Sequence, residues 1–306
     1  MIRSMYSGVS GMKSNQTKMD VIGNNIANVS TTAFKGGRVR FQDTFSQLEA
    51  NAQGPTQAGR GGINPQQVGQ GVNIAAIDTI FDDGALQPTN RDLDFAIEGE
   101  GFFVVSENIE TAGGINPQNN LNTRYTRDGA FYKDYAGNLV TAEGYSILGV
   151  RPVNGYATNI TDVPNVDNTN LSLKSLEIPN TLDIGGVTVN LESFSIDNSG
   201  LISAIYDDGQ IYYLGRVAVA KFINPEGLEK LGGGSYRMSD NSGQVEIGTA
   251  GQQGFGSIRS GYLEMSNVDL ANEFTEMMIT SRAYQANSRV ITTSDEMLQE
   301  LINLKR

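Results

Sequence analysis

From Ile2 to Val29 apolar residues recur at three- and four-residue steps: Ile2, Met5, Val9 and Met12, then Met19, Ile22, Ile26 and Val29, with a break around Asn15 and Gln16. That period predicts one helix with a narrow apolar stripe. The C-terminal segment is more regular. Leu270, Met277, Tyr284, Ile291 and Leu298 fall at seven-residue steps, Phe274 and Ile302 occupy the adjacent row, and the polar Ser281, Ser288 and Asp295 stand between them. This is a coiled-coil register, imperfect on its second row. Ser266, with Asp269 three residues later, resembles a capping box, and Lys305-Arg306 sits where a helix dipole is negative, so the helix is expected from about Asn267 to near the end.

Between these ends the period drops to two and turn residues multiply. Val72–Ile77 alternates toward a sheet face, and Asp94–Ile97 precedes the apolar run Phe102-Phe103-Val104-Val105. Tyr125–Phe131 with Tyr135–Val140, and Phe194–Ser203 with Tyr206–Gly215, read as hairpins. Gln53–Gln70 and Asn154–Asn170 are polar and turn-rich, which suits a linker and a loop or small insertion. The fold class is therefore mainly β with α-helical termini: a discontinuous β domain plus an N-/C-terminal helix pair forming an assembly coiled coil. The helices have no helical neighbours in the chain except each other. A lone narrow-seamed pair buries too little apolar area to offset chain entropy, so full ordering is expected only against copies in other subunits.

Composition removes most enzyme classes. The 306 residues include no cysteine, histidine or tryptophan, which excludes disulfides, thiolate nucleophiles, Cys or His metal sites and Ser-His pairs. The net charge of −12 repels nucleic-acid backbone and anionic lipid, so no nucleic-acid partner is expected. No stretch approaches the roughly 20 apolar residues that span a bilayer, so no membrane insertion is expected, and no cleavable signal peptide is visible at the N-terminus. Charge is unevenly placed. Residues 1–40 carry six basic side chains against one acid, and residues 262–306 carry four against seven, so the ends attract.

Few segments mimic chemistry. Gly99-Glu100-Gly101 lacks the following helix a phosphate loop needs, and a strand follows it instead. The Asp-Gly turns at Asp83, Asp128 and Asp208 lack the ligand spacing of a calcium loop and suit hairpins. A carboxylate-pair glycosidase remains the alternative enzyme reading in a chain with 34 acids, although no cleft is marked. Asn159-Ile160-Thr161 and Asn170-Leu171-Ser172 match the glycosylation tripeptide, frequent by chance in an Asn-rich chain. No catalytic residue, metal site or cofactor is assigned.

The ends and parts of the middle resemble a known family. Met1–Met12, Gln16–Val29 with Asn24, Asn25 and Asn28, then Phe34-Lys35, are similar to the N-terminal signature of bacterial flagellar rod and hook proteins. Leu93–Phe103, with Gly99, Gly101, Phe102 and Phe103, and Tyr125–Phe131 agree, as do Ser260–Leu270 with Asn267, Arg282–Arg289 with Asn287, and Asp295–Leu298. The resemblance covers all but about residues 50–70 and 150–190. Within the family, Ser4–Gly11 and Val290–Leu301 resemble hook sequences more than distal-rod ones, and the distal rod protein is the alternative. Ala33 stands where the family usually has glycine, so the resemblance assigns no left-handed turn there.

The resemblance implies a structural polymer subunit without enzymatic activity, exported by the flagellum's own apparatus to the extracellular hook. Its partners would be further copies of itself, the distal rod, hook cap and hook–filament junction proteins, and the export apparatus. The implied organisation is a terminal helical assembly domain forming an inner tube (1–30 and 265–306), a linker or extended segment (31–71), a discontinuous β domain (72–147 and 191–261) and a small β insertion, a reduced outer domain (148–190). The assembly seam would comprise Ile2, Met5, Val9, Met12, Met19, Ile22 and Ile26 with Leu270, Phe274, Met277, Tyr284, Ile291 and Leu298.

Overall fold

The computed structural model describes residues 2–54, 61–107, 122–152, 155–166, 173–184 and 187–304. The chain forms two compact units. The first comprises Met1–Val29, Gly36–Ile80 and Val268–Arg306. Its helices are α1 (Ile2–Ala27) and α2 (Leu270–Leu304). Four strands, β1 (Gly37–Asp43), β2 (Ser46–Ala50), β3 (Gln66–Gly69) and β4 (Val72–Thr79), form a two-stranded antiparallel ribbon in which β1 pairs with β4 and β2 with β3. The N-terminal helix packs along α2 and against β1 and β4.

Helix ends differ slightly from expectation, for local reasons. Asn28 donates its side-chain amide back to the Asn24 carbonyl at 2.9 Å, and α1 stops at Ala27 rather than Val29. The C-terminal helix begins at Leu270 because Asp269 is its cap: Oδ1 accepts the Ala271 N–H at 2.9 Å. Residues 31–71 are an extended segment rather than a loose linker, since β1–β3 fall within them, and Val72–Thr79 completes the ribbon instead of opening the β domain. A lone ribbon buries almost no face, so its sequence stays polar and reads as a connection.

Ser30–Lys35 and Phe81–Asn267 make the second unit. Its early strands are β5 (Leu86–Pro88), β6 (Phe95–Glu98), β7 (Phe102–Ser106), β8 (Thr123–Thr126), β9 (Tyr132–Lys133), β10 (Leu139–Val140) and β11 (Ser146–Val150). There follow β12 (Lys174–Ser175), β13 (Thr181–Ile184), β14 (Val187–Ile196), β15 (Leu201–Tyr206) and β16 (Ile211–Lys221). The last are β17 (Glu229–Gly232), β18 (Ser235–Arg237), β19 (Glu246–Thr249), β20 (Ser257–Ser260) and β21 (Tyr262–Glu264). Among the described residues thirteen strands join one sheet, nine of them along the path β13-β14-β15-β16-β11-β7-β8-β18-β17 with β9, β10, β12 and β19 attached beside it, while β6 pairs with β20 and β5 with β21. Residues 148–190 are thus not a separate insertion: β12, β13 and β14 are hydrogen-bonded members of that sheet, fastened through β11 and β15.

The sheet is central because two strands are apolar on both sides. Phe103, Val105, Val217 and Val219 enter one core with Phe95, Phe131 and Ile147. Their neighbours Phe102, Val104, Ala218 and Ala220 enter a second core with Tyr125, Phe222 and Tyr236. A strand buried on both faces reads as a continuous apolar run, which is what Phe102–Val105 shows. Aromatic edges set the second core: Tyr125 meets Phe222 edge-on at 4.8 Å, and Phe102 meets Phe222 at 5.8 Å.

At Ala33 the backbone does adopt the left-handed conformation, φ 55°, in a fully buried position where its N–H donates to the Glu264 carbonyl at 2.8 Å. An L-residue there costs about 1–2 kcal/mol. Glycine would relieve this but lose a buried methyl and add unfolded-state entropy of about 0.4–1 kcal/mol. Ala33→Gly should therefore shift the melting temperature of the β unit by no more than a few degrees, whereas Ala33→Val, branched at Cβ, should lower it clearly. Calorimetry on both variants checks this.

Candidate assembly surface

The two helices run antiparallel. Ser4 and Ser294 share a hydroxyl hydrogen bond at 3.4 Å, Lys18 Nζ pairs with Glu276 at 2.5 Å, and Asn25 Nδ2 donates to Glu273 Oε1 at 3.1 Å. The seam itself is made of small residues. A Cβ at Gly8 would sit 3.2 Å from the Ile291 side chain, and one at Gly11 would lie 2.6 Å from the Asn287 amide. On α2 the row at seven-residue steps is Thr280 and Ser294, both buried, with the half-buried Asn287 between them, flanked by the half-buried Met277, Ile291 and Leu298. Burying these hydroxyls costs little because each is satisfied within its own helix: Thr280 donates to the Glu276 carbonyl and Ser294 to the Val290 carbonyl, both at 2.7 Å.

This revises the expected seam. The second row is the small polar one, and Phe274 (53% exposed) and Leu270 lie off it on the open surface. Ile291 faces α1 of the same chain at Gly8, Met277 and Leu298 are half-buried, and Tyr284 sits at the margin. On α1, Ile22 is buried, Met5, Met12, Met19 and Ile26 are half-buried, and Val9 is exposed; the side chain of Ile2 lies outside the described residues. Gly8, Gly11, Ser14, Thr280 and Ser294 were missed because an apolar pattern search passes over small polar residues. The signal was there as three-residue steps on α1 and seven-residue steps on α2.

Asn25 joins the ribbon to α1. Its amide accepts the Gly37 N–H at 3.0 Å and donates to the Gly37 carbonyl at 2.9 Å, as a neighbouring strand would. Burial raises the Glu273 pKa, opposed by the Asn25 hydrogen bond. Ser10 Oγ accepts the Val72 N–H at 3.3 Å, which ties the far end of the ribbon to α1, and Asn287 lines a small pocket there with Gly11, Phe41 and Val72.

Several remaining motif positions converge in the second unit on a buried charge cluster. Lys35 Nζ meets Glu264 Oε1 at 2.5 Å with both side chains fully buried, and also donates to the Asp82 carbonyl at 2.7 Å. Arg127 reaches Glu264 at 3.4 Å and Asp83 at 2.8 Å, and donates to the Gly99 carbonyl at 2.8 Å above the Phe102 ring. Gly84 N–H donates to Glu264, and Asn267 donates to the Asp82 carbonyl. Burial holds the Lys35 amine below the usual lysine range, opposed by Glu264. Phe34 lies beneath Lys230, whose Nζ donates to the Lys35 carbonyl at 3.0 Å. Gly101 and Phe103 belong to the β6–β7 turn and the sheet core rather than the cluster, and Asn24 accepts from Asn28 at the end of α1. Sequence reasoning missed Asp83, Arg127 and Glu264, whose pairing spans distant segments.

The Asp-Gly aspartates are locally committed: Asp83 to Arg127, Asp128 to Thr32, and Asp208 to Tyr212 at 2.6 Å. Of the glycosylation tripeptides, Asn159 is exposed and Asn170–Ser172 lies outside the described residues. Among the described residues no helix is long and apolar enough to cross a membrane, and no cluster of three acidic groups could hold a metal.

A sheet unit with paired terminal helices bearing an open apolar surface is a subunit architecture suited to assembly. Family models for the flagellar basal body rod protein, the D1 domain of the FlgE/F/G hook proteins and the FlgEFG C-terminal region match residues 5–35, 96–204 and 259–304. The flagellar basal-body rod protein FlgG of Bacillus subtilis is 43% identical over the whole of both chains. The flagellar hook protein FlgE and the rod protein FlgG of Borreliella burgdorferi are each 35% identical over the whole of both chains. The chain belongs to the flagellar rod/hook axial protein family.

Two outcomes follow from these geometries. Gly11→Leu should force α1 away from Asn287 and cost about 1–3 kcal/mol, whereas Gly23→Ala, with nothing within 4 Å of the new methyl, should gain about 0.5–1 kcal/mol of helix stability; far-ultraviolet circular dichroism melts read both. Glu264→Ala strands Lys35 and Arg127 without their shared carboxylate and should destabilise the β unit by about 3–5 kcal/mol, measured by denaturant unfolding.

Proposed function

We propose that this chain is a structural subunit of the flagellar hook that polymerises through its terminal helices, and that it catalyses no reaction. The observation that carries the polymer reading is the apolar surface left open after α1 and α2 have paired: Met278, Ile279, Val290, Met297 and Leu301 are 43–58% exposed on α2 alone. Patches of this kind mark interfaces, and self-association is the economical way to cover them in a family of axial proteins. The hook assignment rests on Ser4–Gly11 and Val290–Leu301, which resemble hook segments. Export through the flagellar apparatus, placement outside the cell, and contacts with distal rod, hook cap and junction proteins belong to the same proposal.

One observation favours the distal rod instead. The Borreliella rod protein aligns over 309 residues and the hook protein of that organism over 442, so the hook relative carries a long insertion that this chain lacks. Immunogold labelling of purified hook–basal bodies from cells making a tagged copy separates the readings. Gold along the curved external segment supports the hook, gold confined to the rod supports the alternative, and gold on neither overturns both. Limited proteolysis of dilute monomer should remove α1 and α2 and spare the unit made of Ser30–Lys35 and Phe81–Asn267, while polymer stays intact at the ends; equal protection in both would contradict assembly-dependent ordering.

A further inference from the structure

Most arginines of the sheet unit have an evident electrostatic partner. Arg91, Arg127, Arg151, Arg237 and Arg259 each pair with a carboxylate, and Arg124 lies over the Tyr145 ring at 4.2 Å. Arg216, on β16, is different. It is only 8% exposed, its Nη1 donates to the Asn165 side-chain oxygen, and no carboxylate among the described residues forms an ion pair with it. Its Nε–H is buried without an acceptor. The Nε–H groups of Arg127 and Arg151 lack one too, but those guanidiniums have Glu264 and Glu177. A guanidinium keeps its proton in proteins, so it cannot escape burial by becoming neutral as a lysine can. A cation taken out of water needs an opposite charge, and a single amide oxygen does not supply one.

The surroundings fix this side chain in place. Val150 on β11 and Leu201 on β15 stand directly opposite Arg216, both buried, and Ala157 and Val163 pack on Leu201. Burial holds the Arg216 pKa below the usual arginine range, opposed by the charge of Asp197 in the β14–β15 turn. Asp197 is committed to that turn, where Oδ1 accepts the Asn198 N–H at 2.7 Å and Oδ2 the Ser199 hydroxyl at 3.4 Å. Asn165 is exposed, and the next residue anchors its loop, Val166 N–H donating to Thr249 Oγ1 at 3.1 Å. The guanidinium therefore lies just beneath a fixed rim. We propose that Arg216 is the base of an anion site that takes one small oxyanion from solution, a phosphate or a free carboxylate, on the edge formed by Nε and Nη2. That edge offers two parallel donors, the fork that matches a pair of oxygens, and the apolar flanks at Val150 and Leu201 strengthen the pairing by excluding water. The bound anion would compensate the buried charge and so stabilise the sheet unit. This goes beyond the assembly reading and does not depend on it.

The full chain is melted in chloride buffer with sodium phosphate or sodium acetate added at constant ionic strength. Raising either anion from about 1 to 50 mM should raise the melting temperature of the sheet unit by about 2–5 °C, along a curve that saturates. Arg216→Met keeps an unbranched apolar stem without the charge; it should melt no lower than the unsubstituted chain in chloride and lose the anion response. Asp197→Asn removes a competing negative charge and should tighten phosphate at least threefold. A reading that needs no variant is the Nε–H resonance of Arg216 in nitrogen-15-labelled unsubstituted chain, which should move saturably with phosphate or acetate, unlike those of Arg237 and Arg259. No saturable response to either anion would overturn the site. An equal rise in the Arg216→Met chain would overturn it as a general salt effect, and a response that appears only after Asp197→Asn would overturn it by making Asp197 the counter-ion.

Discussion

The ion pair between Lys35 and Glu264 is the constraint on which the chain path depends. One residue lies eight positions after α1 and the other six before α2, and their buried contact requires the outgoing and returning chain to run side by side. Two charges out of water are tolerated here because nearly every lone pair and proton is used: the Asp82 carbonyl, the Gly84 amide, Arg127 and, through it, Asp83 and Gly99. Such a cluster contributes less to net stability than an apolar replacement would, but it is unforgiving of misplacement, since any other register leaves a charge unpaired in the interior. Its value lies in fixing which residues meet. The left-handed turn at Ala33, two residues away, belongs to the same fixing, for it directs the Ala33 N–H onto the Glu264 carbonyl.

Close approach of the helices follows a different logic. Glycines at 8 and 11 remove the side chains that would hold the axes apart, and hydroxyls satisfied by their own helix behave as small inert fillers. A seam of that sort positions two helices without burying much apolar area. The large apolar residues of α2 are therefore left facing outward. The stripe that looks like a core in the sequence is divided in space, part against α1 and part open.

That division explains what was legible in the sequence and what was not. Periodicity located both helices, because a 3.6-residue repeat survives whatever covers each face, and the apolar run Phe102–Val105 marked a strand that is buried on both sides, while the equally buried Val217–Ala220 was passed over. Of the ribbon only β4 was legible, through the alternation of Val72–Ile77, while β2 and β3 are exposed along almost their whole length and leave no alternation to read. The split of the α2 stripe was equally hidden: which apolar row meets α1 is decided by glycines on the other helix, hundreds of positions away. Lys35 stood out only through family likeness, and its partner Glu264 is one of 34 acids with no local mark.

The two units also differ in what holds them. In the sheet unit, two apolar cores on opposite faces of the same strands supply enough burial for that unit to be stable as a monomer. The helical unit keeps much of its apolar surface outside, so its stability includes a term from association that grows with subunit concentration. For a subunit that assembles in the way proposed, this separation has a consequence. A chain folds its sheet before meeting other copies, and its helices acquire full order at the growing end, where concentration of neighbours is highest. Mutations in the β cores then act on the amount of competent subunit, while mutations on the outer helix rows act on polymer growth, and the two effects are separable because they draw on different surfaces.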